Sequence, residues 1–210
     1  MAVICPTVTT DDPHVYREQI ERVEPFARRI HIDIADGVLT PNKLINVHKI
    51  WWPADMTADI HVMYQTPEEV LGALIEYRPS LVILHAEADG NFMAMAERLK
   101  KANIKVGLAL LQGSQVSSIL TVLDVLDHVL IFSGSLGRFG GSADLAQLSK
   151  AAEIKLLRPI IEIGWDGGVN DLNAKTLSDA GVDVLNTGGF IHRTDDPAGA
   201  YAILQKLTKK

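Results

Sequence analysis

Four polar residues end or follow apolar, strand-like runs of this sequence, and their types are those that hold metal ions. His31 and Asp33 belong to the string His31-Ile-Asp33, His61 ends a second run, and Asp166 follows a third and begins Asp166-Gly-Gly. Imidazole nitrogens and carboxylate oxygens suit Zn²⁺, Fe²⁺, Mn²⁺ or Co²⁺, and a set of four leaves room for substrate oxygens. The same carboxylates can transfer protons. We therefore predict one divalent metal ion at a site that also performs acid–base chemistry.

Each of these residues, taken singly, has an ordinary structural explanation. An inward-facing histidine is more often a hydrogen-bonded core residue, and an aspartate after a strand often caps a helix. The combination of four favours the metal site, because no cationic residue lies nearby in the sequence to neutralise Asp33 or Asp166.

Alternation along the runs predicts which side chains share a face. In Arg29–Ile34, His31 and Asp33 share one face and the isoleucines share the other. In the next run, His61 shares its face with Asp59 and Met63. Because chemistry in a barrel lies inside the C-terminal strand ends, these polar side chains are predicted to point inward.

Short apolar runs alternate with amphipathic segments along all 210 residues. They are rich in Val, Ile and Leu, as buried parallel strands are. The predicted strands are Ala2–Cys5, Arg29–Ile34, Ala58–Val62, Leu81–Leu84, Lys105–Leu110, His128–Phe132, Pro159–Ile163 and Val182–Asn186. Helices are predicted between them, with start signals at Asp12-Pro13, Thr66-Pro67, Asn170-Asp171 and Asp196-Pro197.

Eight strands, each followed by a helix, predict an α/β fold. The expected architecture is a (β/α)8 TIM barrel that forms a single domain over residues 1–210. A doubly wound open sheet is the alternative, but it usually has fewer strands at this length.

Composition excludes several classes of protein. The net charge is −6 and the basic clusters are small, which argues against a nucleic-acid partner. No apolar stretch is long enough for a membrane span, so we expect no membrane association. Cys5 is the only cysteine and the N-terminus does not resemble a signal peptide, so a cytoplasmic location is expected.

Pairs of glycines follow the last two predicted strands. Gly167-Gly168 follows the seventh and precedes a helix, and Gly188-Gly189 follows the eighth. Loops at these two positions of a barrel usually bind phosphate through backbone N–H groups. A third string, Gly137–Ser142, follows the sixth strand and is predicted to form a lid. Single Gly-Gly pairs mostly mark turns, but this coincidence favours a phosphorylated ligand.

The ordered set of motifs resembles the ribulose-phosphate 3-epimerase family over nearly the whole chain. Any one motif would be a weak signal, whereas the set in this order is specific. The motifs are His31-Ile-Asp-Ile-Ala-Asp36-Gly37 with Pro41-Asn42, Asp59-Ile-His61-Val-Met63 with Pro67-Glu68, His85-Ala-Glu87-Ala88, Lys105-Val-Gly107-Leu-Ala109, Phe139-Gly140-Gly141 and Asp166-Gly167-Gly168-Val-Asn170.

The resemblance implies a homo-oligomeric enzyme that epimerises a ketose phosphate at C3, with D-ribulose 5-phosphate and D-xylulose 5-phosphate as the pair. Asp33 and Asp166 would exchange protons on opposite faces of the sugar, and the metal ion would stabilise the enediolate. Thr10 is identified with a substrate-contacting serine of the family. The predicted substrate-binding residues are Thr10, Met63, Gly140, Gly141, Gly167, Gly168, Gly188 and Gly189.

The sequence departs from the family around this polar set. Three methionines of the family correspond here to Ala35, Met63 and Phe132, and the usual Gly-Ser is Gly188-Gly189. Arg138 is an insertion in the loop after the sixth strand, and residues 111–115 replace Asn-Pro-Ala-Thr-Pro. These differences affect the identity of the sugar substrate more than the type of reaction.

Three alternatives follow. The chain could epimerise another ketose phosphate such as allulose 6-phosphate, or be a barrel that binds a sugar phosphate without catalysis. The third is a hexulose-phosphate synthase or keto-gulonate-phosphate decarboxylase, which resembles this chain in fold. Those enzymes use a lysine where this chain has Ala35, so this alternative is disfavoured.

Overall fold

The computed structural model describes residues 2–134, 136–137 and 141–209. Within them, eight parallel strands form a closed barrel in chain order, and the last pairs with the first. The predicted TIM barrel is confirmed, and the open sheet is wrong. The strands are β1 (Val3–Val8), β2 (Arg29–Ala35), β3 (Thr57–Met63), β4 (Leu81–His85), β5 (Lys105–Leu110), β6 (His128–Phe132), β7 (Glu162–Asp166) and β8 (Val184–Thr187).

Seven α-helices lie among the described residues, and two begin at predicted caps. The Asp12 carboxylate accepts the His14 N–H at 2.7 Å, and Asp196 accepts the Gly199 N–H at 2.8 Å. None of these helices has the length and apolar character needed to cross a membrane. The helices are α1 (Pro13–Val23), α2 (Glu68–Tyr77), α3 (Phe92–Lys101), α4 (Leu148–Leu157), α5 (Ala174–Asp179), α6 (Gly189–His192) and α7 (Pro197–Thr208).

Two connections lack the α-helix that the sequence predicted after every strand. β2 and β3 are joined through a single 3₁₀ turn, Val47–Lys49, and β5 and β6 through two, Val116–Ile119 and Leu123–Val125. The buried residues of these turns belong to the main core, so they cover the outside of the sheet as a helix would. The expectation of eight strand–helix units was therefore wrong at two of them.

The seventh strand begins three residues later than predicted and includes Gly164 and Asp166. Ile160 is 89% exposed, so the apolar run starts outside the sheet. Gly164 lies within the strand. A glycine is needed there because the His128 ring occupies the space where a side chain would lie. Asp166 is therefore the last residue of β7, whereas the sequence predicted it just past the end of the strand.

Helix α5 is shorter than the segment predicted from Asn170 onward. The Asn170 side chain accepts the Leu172 N–H at 2.9 Å, and the Asn173 side chain accepts the Asn170 N–H at 2.9 Å. Such side-chain to backbone bonds hold a turn and compete with a helix. The helix consequently begins at Ala174.

The predicted alternation along β2 and β3 is confirmed. Ile30, Ile32 and Ile34 are fully buried in the core between the strands and the outer layer. Asp33 lies beside His61 in the register of β2 with β3, on the opposite face of the sheet. The barrel interior is therefore polar at the level of these two residues.

A second polar group lies inside the barrel at its N-terminal end. Arg29 donates from Nε to Asp59 at 2.7 Å and forms two hydrogen bonds with Glu162, at 2.9 and 2.7 Å. His128 Nδ1 lies 2.8 Å from the same glutamate. A protein cation thus compensates the carboxylates at this end.

The tryptophans of Trp51-Trp52-Pro53 lie in different surroundings. Trp51 is 38% exposed with the Arg17 guanidinium over its ring, whereas Trp52 packs against the core. The homo-oligomer implied by the resemblance stays a prediction.

The close approach at Gly164 gives a stability prediction. A Cβ there would lie 2.5 Å from His128 Nε2 and 2.9 Å from Leu130 Cδ1. Gly164→Ala should lower the free energy of unfolding by about 2 kcal/mol, as overpacking of a core does. Urea denaturation measures the change.

Gly72, in the middle of α2, is the matched control, because nothing lies within 4 Å of its Cβ position. Gly72→Ala should raise the free energy of unfolding by about 0.5–1 kcal/mol. Equal stability of wild type and Gly164→Ala would contradict the packing argument.

Candidate active site

The four predicted ligand residues meet toward the C-terminal ends of the strands. His31 and Asp33 lie on β2, His61 on β3 and Asp166 at the end of β7. One nitrogen or oxygen from each lies within 4.8 Å of the others. Asp33 Oδ1 is 3.0 Å from His61 Nδ1 and 3.2 Å from His31 Nε2, and Asp166 Oδ2 is 3.6 Å from His31 Nε2. The structure therefore brings all four together as a group that can hold a metal ion.

His31 shows that this group fits a cation. Its ring is fully buried, yet neither ring nitrogen makes a hydrogen bond. A buried polar atom without a partner costs free energy, so native structures rarely keep one. A divalent ion between His31 Nε2 and the carboxylates would use this lone pair. Two nitrogens and two carboxylates form a donor set that suits Zn²⁺, Fe²⁺, Mn²⁺ or Co²⁺.

The two carboxylates differ in their electrostatic surroundings. Burial and the neighbouring Asp33 charge raise the pKa of Asp166. Burial also disfavours ionisation of Asp33, but the neighbouring His31 holds the pKa of Asp33 well below its usual range. Within the described ranges, no lysine or arginine pairs with either carboxylate, and their ion-pair partners are histidines. A divalent cation would supply the missing counter-charge.

Thr9 supports the position of Asp33. Its hydroxyl donates a hydrogen bond to Asp33 Oδ2 at 2.5 Å, while Oδ1 of the same carboxylate faces the two histidines. One carboxylate oxygen is therefore held by the protein and the other points to the candidate metal position. Sequence reasoning missed Thr9, although it lies directly after β1.

The buried His85 and the half-buried Glu87 extend the site away from its ligand group. His61 Nε2 lies 2.8 Å from His85 Nε2, and His85 Nδ1 lies 3.2 Å from Glu87 Oε2. In the sequence, both residues stand out only as part of the motif His85-Ala-Glu87-Ala88. Alternation along β4 could have identified His85, because it shares a face with Leu81 and Ile83 inside the barrel.

A cavity of about 270 Å³ opens over the ligand group. Asp33 and Asp166 line it, together with apolar side chains that include Phe132. The cavity is large enough and polar enough at its base to admit a small phosphorylated molecule. The predicted substrate-binding residues that line it are Met63, Gly141, Gly167, Gly168, Gly188 and Gly189.

Two predicted substrate-binding residues are not placed in this cavity. Thr10 is absent from its described lining, and the Thr10 hydroxyl accepts the Asp12 N–H at 3.1 Å. Thr7 and Thr9 line the cavity in its place. Gly140 lies outside the described residues, as does the insertion Arg138.

Backbone conformation explains the glycines of the loop after β7. Gly167 and Gly168 have φ of +114° and +70°, a region that disfavours other residues. A Cβ on Gly167 would lie 2.1 Å from the Gly134 nitrogen, and one on Gly168 would lie 2.2 Å from the Ala143 nitrogen. Glycine therefore lets the loops after β6 and β7 meet beside the cavity, where their backbone groups can approach a ligand.

One cationic side chain lines the cavity among the described residues, and sequence reasoning missed it. Arg193 follows α6 and lies beside the Gly188-Gly189 loop at the cavity wall. An arginine at this position can pair with an anionic ligand group. The signal in the sequence was an arginine four residues after the glycine pair.

Comparison with known proteins supports the family that the sequence motifs indicated. The model of the ribulose-phosphate 3 epimerase family matches residues 3–192. The ribulose-phosphate 3-epimerase of Bacillus subtilis is 29% identical over 208 residues, which cover 93% of this chain and 94% of that protein. The chloroplastic ribulose-5-phosphate-3-epimerase of Arabidopsis thaliana is 29% identical over 211 residues, covering 94% of this chain and 74% of that protein.

Solved structures share the architecture at low sequence identity. 3-Hexulose-6-phosphate synthase from Salmonella typhimurium superposes with a TM-score of 0.76 at 14% identity, covering 98% of both chains. KGPDC from Streptococcus mutans gives a TM-score of 0.68 at 11% identity, covering 99% of this chain and 97% of that one. These similarities concern the fold alone.

The ligand group gives a prediction about metal binding. Addition of Co²⁺ or Zn²⁺ to metal-free protein should raise its thermal unfolding midpoint, because an ion that binds only the folded state stabilises it. At a concentration 100 times Kd the gain is about 2.7 kcal/mol. His31→Leu should abolish this shift.

Asp59→Asn is the control for this experiment. Asp59 is a buried carboxylate of the same barrel interior, but it pairs with Arg29. The variant should keep the metal-induced shift even if it is less stable. A shift of the same size in His31→Leu would exclude this group as the metal site.

Proposed function

The chain belongs to the ribulose-phosphate 3-epimerase family, and from this we propose that it interconverts D-ribulose 5-phosphate and D-xylulose 5-phosphate by inverting C3. The observation that carries the proposal is the convergence of Asp33 and Asp166 with two histidines at the base of a cavity. Inversion requires one group that removes a proton and one that returns a proton on the opposite face. The two carboxylates fill these two roles.

The position of the two aspartates in the barrel supports this division of roles. Asp33 lies on β2 and Asp166 on β7, and in the closed barrel β1 and β8 lie between these strands. The carboxylates consequently approach the cavity from two sides. One takes the proton from C3 to its oxygen, C3 becomes planar, and the other delivers its proton to the opposite face. In the reverse direction their roles exchange.

A divalent ion held by His31, Asp33, His61 and Asp166 would act as a Lewis acid toward the negative charge that develops on the substrate oxygens. The chain's own contribution is to hold the ligands on rigid strands and to keep Asp33 oriented through the Thr9 hydrogen bond. Positioning of this kind lowers the cost of reorganisation during the reaction.

Apolar side chains beside the ligand group, Met63 and Phe132, line the cavity and limit access of water. Met63 is buried and packs with Ala35 and Leu44, and Phe132 lies with its ring centroid 6.1 Å from that of His61. A site with little water strengthens the electrostatic interactions between substrate and carboxylates. Phe132 and Ala35 therefore keep the apolar character that methionines give to the family.

The glycine loops and Arg193 form the proposed phosphate site. Gly167, Gly168, Gly188 and Gly189 line one side of the cavity, where backbone N–H groups can donate to phosphate oxygens. Arg193 would add a charge-assisted hydrogen bond. A phosphate held there fixes the sugar with its reacting carbon over the carboxylates.

An isotope experiment tests the reaction. Wild type in D₂O, with a divalent metal present, should convert ribulose 5-phosphate to xylulose 5-phosphate that carries deuterium at C3. A chelator or Asp166→Asn should lower the rate by about 10³-fold, because each removes part of the acid–base group. Mass spectrometry and a coupled assay measure label and rate.

The outcomes separate the alternatives. Equal rates in all three conditions would exclude the proposed acid–base and metal assignment. Turnover of a hexulose phosphate but not of the pentulose would favour the allulose 6-phosphate alternative. No turnover of any ketose phosphate, even with metal added back, would favour a barrel that only binds its ligand.

The proposed phosphate site gives a second prediction. Arg193→Gln should raise KM for the sugar phosphate about tenfold and leave kcat within about twofold, because a charged hydrogen bond to bound substrate is lost. Arg17→Gln, on the exposed face of α1 away from the cavity, is the control and should leave KM unchanged. An unchanged KM in Arg193→Gln would remove this residue from the phosphate site.

A further inference from the structure

We propose that His85 and Glu87 are positioning residues that select the tautomer of His61 and so determine whether its Nδ1 can bind a metal ion. The inference rests on the proposed metal site, but it concerns two residues that neither bind the ion nor line the cavity. Its physical basis is a chain of hydrogen bonds whose direction is set at one end.

The chain begins at Glu87, which is surrounded by donors. Oε1 accepts the Leu111 N–H at 3.1 Å and the Ser114 hydroxyl, and Oε2 faces His85 Nδ1 at 3.2 Å. Burial alone would raise the pKa of Glu87, but these donors lower it. Glu87 is therefore an ionised acceptor at neutral pH, and a carboxylate has no hydrogen to donate.

His85 passes the direction of this hydrogen bond on to His61. Because Glu87 can only accept, the proton of a neutral His85 ring must lie on Nδ1, and its Nε2 then carries a lone pair. His85 Nε2 lies 2.8 Å from His61 Nε2, and the two rings stack with centroids 4.9 Å apart. A bond between these two nitrogens needs one proton, which His61 must supply from Nε2.

The consequence appears at the other nitrogen of His61. With its proton on Nε2, Nδ1 carries a lone pair, and this atom lies 3.0 Å from Asp33 Oδ1. Two acceptors then lie side by side, and a cation placed against both of them would take the lone pair of each. The opposite tautomer would place a proton there and exclude the ion. Glu87, acting through His85, thus determines whether His61 Nδ1 carries a proton.

The loop after β5 keeps Glu87 in place. Lys150 Nζ donates to the carbonyl oxygens of Leu111 and Gln112, at 2.7 and 3.0 Å, so the segment that offers the Leu111 N–H is anchored to α4. Both oxygens of Glu87 are consequently constrained. A histidine with a purely structural role could either donate or accept at each ring nitrogen. Here Glu87 can only accept, so His85 Nδ1 can only donate.

Glu87→Gln is the decisive substitution, because it keeps the shape and changes one acceptor to a donor. Oε1 must still accept from Leu111 and Ser114, so the amide nitrogen faces His85 Nδ1. His85 then accepts at Nδ1 and donates from Nε2, and His61 is driven to carry its proton on Nδ1. The affinity for Co²⁺, measured by competition with a chromogenic chelator, should fall about 10- to 100-fold.

A pair of His85 variants separates hydrogen bonding from packing. His85→Phe keeps an aromatic ring but cannot accept from His61, and it should weaken Co²⁺ binding to a similar extent. His85→Gln offers one acceptor and one donor, as the imidazole does, and should recover most of the affinity. His128→Gln is the control, because His128 pairs with Glu162 at the other end of the barrel.

The tautomer itself is measurable without metal or substrate. In metal-free wild type, the ¹⁵N shifts of His61 should show a protonated Nε2 and an unprotonated Nδ1, and in Glu87→Gln the two should exchange. This readout is independent of catalysis. Failure of the proposed epimerase activity would leave it unchanged, and loss of folding in a variant would leave the wild-type spectrum to decide.

Two results would overturn the proposal. One is a wild-type spectrum with the His61 proton on Nδ1. The other is Co²⁺ affinity in Glu87→Gln and His85→Phe equal to that of wild type. Absence of Co²⁺ binding in wild type, by contrast, would contradict the proposed metal site, and the tautomer measurement would still test the direction of the chain.

Discussion

The close approach of two buried carboxylates, Asp33 and Asp166, is the constraint on which the rest of this site depends. Like charges repel strongly where water is scarce, so such a pair needs a counter-charge. The N-terminal end of the barrel meets the same need with a protein cation, because Arg29 pairs with both Asp59 and Glu162. A guanidinium at the C-terminal end would fill the place that substrate oxygens must reach, whereas a bound ion leaves coordination positions open. If the proposed ion is bound, the two ends of one interior thus differ in where their positive charge comes from.

Strand geometry was predictable because its physics is local. Alternation along β2 and β3 follows from the pleat, so the inward direction of His31, Asp33 and His61 could be predicted from spacing alone. The meeting of these residues with Asp166 needed the closed barrel, which eight regularly spaced apolar runs indicated. The family motifs added the pairing of roles, which spacing does not contain.

What the sequence did not indicate depends on contacts between distant segments. The start of β7 was predicted three residues early because the apolar run begins at Ile160, which lies exposed outside the sheet. The predicted strand also ended before Gly164, and only the His128 ring across the barrel explains a glycine inside the strand. Thr10 was named because it falls at the position of a family serine, whereas the cavity lining includes Thr7 and Thr9. Likewise, the link from His61 through His85 joins neighbouring strands, and no local pattern contains it.

The residues that differ from the family pattern lie at positions where another residue can supply the lost interaction with the ligand. Gly189 lacks the hydroxyl donor of the family serine, and Arg193 lines the same wall of the cavity. A guanidinium supplies more donors than a hydroxyl and adds charge, so a phosphate site can tolerate this exchange. No such exchange is available for the ligand group, since a changed donor alters the coordination of the ion itself. Retention of all four proposed ligand residues beside an altered wall is therefore the pattern expected when the reaction is constrained more strongly than the shape of the sugar.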